Sequence, residues 1–148
     1  QFDITPEIFA RFSQIDGVDY IKDSTADPSR IEKLVGQGSK VFCGCDFLNF
    51  FALVNGATGL FTGSGNVAPA QIRQLYDLVK SSEYGRAEKV WKKLQPISRL
   101  LWTMPFNPVA KAGSDRTGRK VGLCRMPVPP LKEHELKLVD EAVAALSA

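Results

Sequence analysis

The chain has 148 residues, with 19 Lys and Arg against 16 Asp and Glu and a formal net charge of +3. That length suits one domain with a real core, and a nearly balanced charge without a dense basic run argues against a nucleic-acid partner. The longest apolar run, "FLNFFALV", is far too short for a membrane span, and the opening "QFDITPE" has neither the charged nor the apolar region of a signal peptide.

The stretch "DITPEIFARFSQI" predicts a helix, with Thr5 as cap, Pro6 in the first turn, and Ile8, Phe9, Phe12 and Ile15 on one apolar face. "GVDYIKDS" predicts a strand. "DPSRIEKLVGQG" repeats the helix grammar, with Asp27 as cap, Pro28 at the first position, and Ile31, Leu34 and Val35 inward. "KVFCGCD" predicts a second buried strand, "FLNFFALVNG" a compact apolar helix, and "ATGLFTG" a third strand. "SGNVAP" reads as a loop, after which Pro69 opens a long helix. Another helix is expected from about Tyr84 to Trp102, kinked or split at Pro96. The Pro- and Gly-rich segment from Met104 to Pro130 reads as loop with one short helix at its start, and "KEHELKLVDEAVAALS" as a final amphipathic helix.

Three strands about twenty residues apart, each followed by a helix, are the grammar of a parallel α/β sheet. Their residues read as apolar on both faces, as a sheet covered by helices requires. Three strands are a poor stopping point for a doubly wound sheet. A (β/α)8 barrel fits the repeat better but typically needs about 250 residues. The expected fold is therefore α/β, the C-terminal part of a TIM barrel followed by helices. Residues 1–70 would be the last βα units and 71–148 the helices packing on them, in one incomplete domain. The chain also opens on Gln1 rather than Met, which suggests a processed or excerpted chain.

Chemistry in parallel βα folds collects at the C-terminal strand ends. Those positions are Lys22 with Asp23, Ser24 and Thr25; Gly44 and Asp46; and Thr62, Gly63, Ser64, Gly65 and Asn66. Lys22 has two readings. A neutral lysine attacks a carbonyl carbon and forms a Schiff base, whose iminium acts as an electron sink. Alternatively, Lys22 is a structural lysine paired with Asp23 or snorkelling to water. Asp46 can orient a substrate hydroxyl or cap the following helix. "TGSGN" can bring backbone N–H groups to an anion or serve only as turn chemistry. Cys43 and Cys45 form a C-x-C without a second pair, and His134, the single histidine, lies in a polar helix pattern. No metal and no cofactor is expected, and the cysteines read as small apolar groups in a reduced core. The basic "DRTGRK" and the charges of "LVKSSEYGRAEKVWKKL" read as solvated surface.

The blocks "YIKDSTADPSRI", "VFCGCDFL" and "GATGLFTGSGNVAP", with the later "AEKVWKKLQPI" and "CRMPVPPL", resemble the dihydrodipicolinate synthase / N-acetylneuraminate lyase family over essentially the whole chain. The resemblance implies a class I aldolase, lyase or synthase that forms a Schiff base with pyruvate or another 2-keto acid. It implies that Lys22 is the Schiff-base lysine at the end of the sixth barrel strand. Gly44, after the seventh, and Phe61, from the eighth, align with positions whose backbone lines the substrate pocket. Asp46 and Gly63 align with positions near the polyol part of longer substrates, although Gly63 replaces a serine often found there. "KDST-x-D" looks more like the branch containing 2-keto-3-deoxy sugar-acid aldolases than like the lysine-biosynthesis synthases. The family's G-T-T-G-E carboxylate-binding block and strand-borne tyrosine are absent from this sequence. The partners so implied are a small 2-keto acid, a missing N-terminal half-barrel or a second copy, and a homo-oligomer, tetramer or dimer, located in the cytoplasm. The competing reading is a non-catalytic half-barrel or paralogue used for binding or assembly.

Overall fold

A computed structural model describes residues 2–147. Its residues form two units, Gln1–Phe61 and Thr62–Ala148.

The first unit begins with α1 (Pro6–Phe12), where the Thr5 hydroxyl accepts from Ile8 N at 3.3 Å and Pro6 fills the first turn. Such a cap is worth about 1 kcal/mol. The helix stops at Phe12, so Ile15 falls outside it and is exposed. Phe9 alone of the predicted apolar face is fully buried. Strand β1 (Tyr20–Asp23) leads to α2 (Pro28–Gly36), whose first turn is closed by Asp27 accepting from Ser29 N at 2.9 Å. Strand β2 (Lys40–Cys43) precedes a single 3-10 turn (Asp46–Leu48), which runs into α3 (Asn49–Val54), and β3 is only Gly59–Leu60.

The three strands form a parallel sheet in the order β1-β2-β3, with Lys22 level with Phe42, Asp23 with Cys43, and Cys43 with Leu60. Side chains alternate between faces. One face carries Ile21 and Val41, packed with Phe9 and Leu34, and Cys43, packed with Ile31, Cys45, Leu48 and Ala52. Burying Ile31 and Leu34 completely stabilises the unit by roughly 2 kcal/mol each. The other face carries Tyr20, Lys22 and Phe42, and both Tyr20 and Lys22 are exposed. The helices of this unit cover the first of these faces. On the uncovered face the Tyr20 and Phe42 rings lie 5.5 Å apart, and Phe42 leans over Gly59, where a Cβ would sit 2.7 Å from its ring.

The second unit is all helical: α4 (Ser64–Val67), α5 (Pro69–Lys80), α6 (Tyr84–Thr103), α7 (Phe106–Arg116) and α8 (Glu133–Ala144). One sequence expectation changes here and two sharpen. "SGNV" is a one-turn helix rather than loop. Pro96 does not split α6, which continues through it for 20 residues on a stripe of Ala87, Val90, Leu94, Ile97 and Leu101. The Pro- and Gly-rich segment contributes the full 11-residue α7. Pro105 and Pro108 sit at its start, where a missing N–H costs nothing. Gly113 lies within it because α4 is close: a Cβ there would meet Val67 Cγ2 at 2.7 Å. The "DRTGRK" loop is also tied down. Arg119 donates to Val67 O at 2.6 Å, satisfying the end of α4, and Arg116 pairs with Asp140 at 2.7 Å. At the start of α8 the Glu135 carboxylate accepts from Lys132 N at 2.6 Å, and His134 is exposed. Among the described residues, no helix is long and apolar enough to cross a membrane.

Candidate active site

Parallel pairing brings the C-terminal ends of all three strands to one edge of the first unit. The ladder continues one residue past β2 and β3: Gly44 N donates to Asp23 O at 2.7 Å, and Phe61 N donates to Cys43 O at 2.8 Å. Lys22, Gly44 and Phe61 are thereby fixed as neighbours by main-chain bonds, independently of their side chains.

Lys22 lies on the uncovered face. Its stem runs against Gly44, where a Cβ would come within 2.6 Å of Lys22 Cε, 2.1 Å of Ser24 Oγ and 3.1 Å of Asp23 O. Glycine is required here by close approach rather than by backbone angle. The same crowding places the Ser24 hydroxyl within a few ångströms of the lysine stem. At the tip, Lys22 Nζ stands 4.6 Å from the centre of the Phe61 ring.

Asp23 points the other way and is buried, at 3% exposure. Its Oδ1 accepts from Thr25 N at 2.8 Å and from Thr25 Oγ1 at 2.6 Å, and its Oδ2 accepts from Arg30 Nε at 2.7 Å. Arg30 also pairs with Asp3 at 3.0 Å and donates to Ile4 O. The hydrogen bond that Arg30 donates to Asp3, ahead of the Asp23 charge, raises the Arg30 pKa above its ordinary value. The Asp23 carboxylate is therefore committed to Arg30 and Thr25. Among the described residues, no carboxylate stands at ion-pairing distance from Lys22. The structural alternative in which Asp23 pairs with Lys22 is not the arrangement found.

Arg30 was not singled out from sequence. The signal available was its place one residue before the inward Ile31, on a helix that starts close behind the strand end. For Asp46 the sequence allows two roles, orienting a substrate hydroxyl or capping the following helix. It is the first residue of the 3-10 turn, with Cys45 in the capping position, and it is buried at 6% exposure. Gly63 belongs to the second unit, where it precedes α4 with φ −71°, an angle open to any residue.

Cys43 and Cys45 are free thiols in the core. Burial raises the pKa of both, that of Cys45 to about 11, so they stay neutral and are poor nucleophiles at neutral pH. Among the described residues no group of three or more His, Cys, Asp or Glu is placed to hold a metal ion.

The comparisons agree with one another. The model of the dihydrodipicolinate synthetase family matches residues 1–146. A 4-hydroxy-tetrahydrodipicolinate synthase of Bartonella tribocorum is 33% identical over 152 aligned residues, covering 93% of this chain and 47% of that protein. One from Archaeoglobus fulgidus is 27% identical, covering 96% of this chain and 50% of that protein. Among solved structures, the dihydrodipicolinate synthase of Thermotoga maritima superposes with a TM-score of 0.90 at 24% identity, over 98% of this chain and 52% of that one. That likeness establishes a shared fold. The chain spans about half the length of the curated relatives it matches. With a family model matched almost end to end, this chain belongs to the dihydrodipicolinate synthetase family.

Proposed function

We propose that this chain carries the nucleophile of a Schiff-base-forming class I aldolase, lyase or synthase acting on pyruvate or a related 2-keto acid. We also propose that its strands are the sixth to eighth of a (β/α)8 barrel. The observation that carries the reading is Lys22 itself: an exposed amine at the C-terminal edge of a parallel sheet, backed by glycine and without a carboxylate partner among the described residues.

In the proposed reaction the neutral Lys22 amine attacks the keto carbon, and the carbonyl π electrons move to oxygen. The resulting carbinolamine takes a proton from the relay onto that oxygen, which leaves as water, and becomes an iminium. Loss of a proton from the adjacent carbon then gives an enamine, the carbon nucleophile for bond making; the reverse sequence breaks the bond. Gly44 and Phe61 contribute main chain around the keto acid, and Asp46 stands toward the distal part of a longer substrate. The family resemblance assigns the carboxylate cradle and the proton relay to a part of the barrel outside these three strands. A further segment or a second copy supplies them, in a homo-oligomeric assembly.

Borohydride added to the intact protein with pyruvate should fix a stable, pyruvate-dependent mass increase. A folded protein that gains no mass under these conditions sinks the reading. The competing reading, a binding or assembly module, predicts that outcome.

A further inference from the structure

Lys22 is gripped at two points. Its Cε runs against the Gly44 backbone, and its Nζ lies 4.6 Å from the Phe61 ring centre, within the range of a cation–π contact. The ring's position is set by the sheet. Leu60 is level with Cys43, and Phe61 N donates to Cys43 O at 2.8 Å, so alternation turns Phe61 onto the face that carries Lys22. The ring is 66% exposed and adds little to the unit's core. Within this unit the ring stands against the lysine nitrogen.

We propose that Phe61 is a positioning residue whose ring holds the Lys22 nitrogen in its cationic states and favours the iminium over the ammonium. The proposal rests on the Schiff-base reading and adds to it a role for a side chain where the family resemblance implies only main chain. Ammonium plus ketone gives iminium plus water. The carbon–nitrogen bond forms, the carbon–oxygen bond breaks, two nitrogen protons leave with the oxygen, and the charge is +1 on both sides. The ammonium has three N–H donors that water satisfies well. The iminium keeps one, and its charge spreads over a flat C=N unit. A flat, poorly hydrated cation gains more from an aromatic face than a compact, well-hydrated one. The ring therefore pulls the equilibrium toward the covalent adduct.

The test is a series of intact proteins carrying 4-fluoro-, 3,5-difluoro- or 3,4,5-trifluorophenylalanine at position 61. Each fluorine weakens the negative ring face while nearly preserving its shape. The readout is the pyruvate concentration that gives half-maximal borohydride trapping at Lys22. We expect it to rise stepwise with fluorine count, by about fivefold or more across the series. A ring that serves only as apolar packing would not follow this trend. Equal half-saturating concentrations across the series, with the parent trapping at Lys22, overturn the role of Phe61 and leave the Schiff-base reading intact. No trapping at Lys22 in the parent overturns that reading and this inference with it.

Discussion

Arg30 Nε donates to Asp23 Oδ2 at 2.7 Å, and this pair holds the carboxylate next to Lys22 on the opposite side of the strand. The Asp23 side chain is 1% exposed and that of Arg30 13%. Removing one partner of a buried pair strands the other charge. Arg30→Ala should therefore lower unfolding stability by about 3 kcal/mol, read as a shift in the urea midpoint. Arg30→Lys should recover little of it, because one ammonium cannot reach Asp23, Asp3 and Ile4 together. A neutral Arg30→Ala would mean that the pair is ornamental.

Lys22 should behave oppositely. It is exposed in this chain, and among the described residues its one partner is the Phe61 ring. Lys22→Met should change stability by less than about 1 kcal/mol while abolishing the pyruvate adduct. A large stability loss with the adduct retained would identify a structural lysine.

Gly44→Ala tests the notch. The new methyl would meet Lys22 Cε at 2.6 Å and Ser24 Oγ at 2.1 Å. Both are ends of side chains that can swing aside, so the fold should survive with a loss of about 1–2 kcal/mol. The lysine tip should leave its place, and trapping should slow by about tenfold or more, in line with the sensitivity of reactions to misplacement. Unchanged trapping in Gly44→Ala would show that the notch does not position Lys22.

The core thiols set an alkaline limit. The Cys45 thiol, ordinarily near 9.0, is raised to about 11 by burial. Below 9.0 the thiol is protonated in both states, and the stability associated with it is fully present. Between 9.0 and 11 the unfolded chain loses this proton while the folded chain keeps it, so stability falls as pH rises. The loss approaches roughly 2–3 kcal/mol at the top of that window. Urea midpoints from pH 8 to 11 should show this decline, and Cys45→Ala should flatten it in part, because burial also raises Cys43. An identical slope in the variant would remove Cys45 as the cause.

Much of the first unit is legible in the sequence because its signals are local. Thr5-Pro6 and Asp27-Pro28 each combine a side-chain cap with a proline at the first helical position, and both helices start there. Lys22, Gly44 and Phe61 lie at or just past the ends of three short strands, so they share one edge, and parallel pairing brings them together. What the sequence hides is tertiary. Gly113 and Pro108 look like helix breakers, yet α7 carries both, since Pro108 lies in its first turn and Val67 leaves no room for a Cβ at Gly113. The close approach of the lysine stem to Gly44 leaves no mark in the sequence. Asp23 and Lys22 look like an ion pair because they are adjacent, but strand alternation sends them to opposite faces and gives the carboxylate to Arg30. None of these relationships has a sequence period, so each needs the packed neighbour to be seen.

Lys22, and no other amine of this chain, should become covalently bound to the keto acid. Reducing the intact protein with borohydride in the presence of carbon-14 pyruvate, then mapping the labelled peptide, tests it most directly. The label should appear on Lys22, in the peptide that contains "YIKDST". Label on a different lysine, or a folded protein that takes up no label, would contradict it.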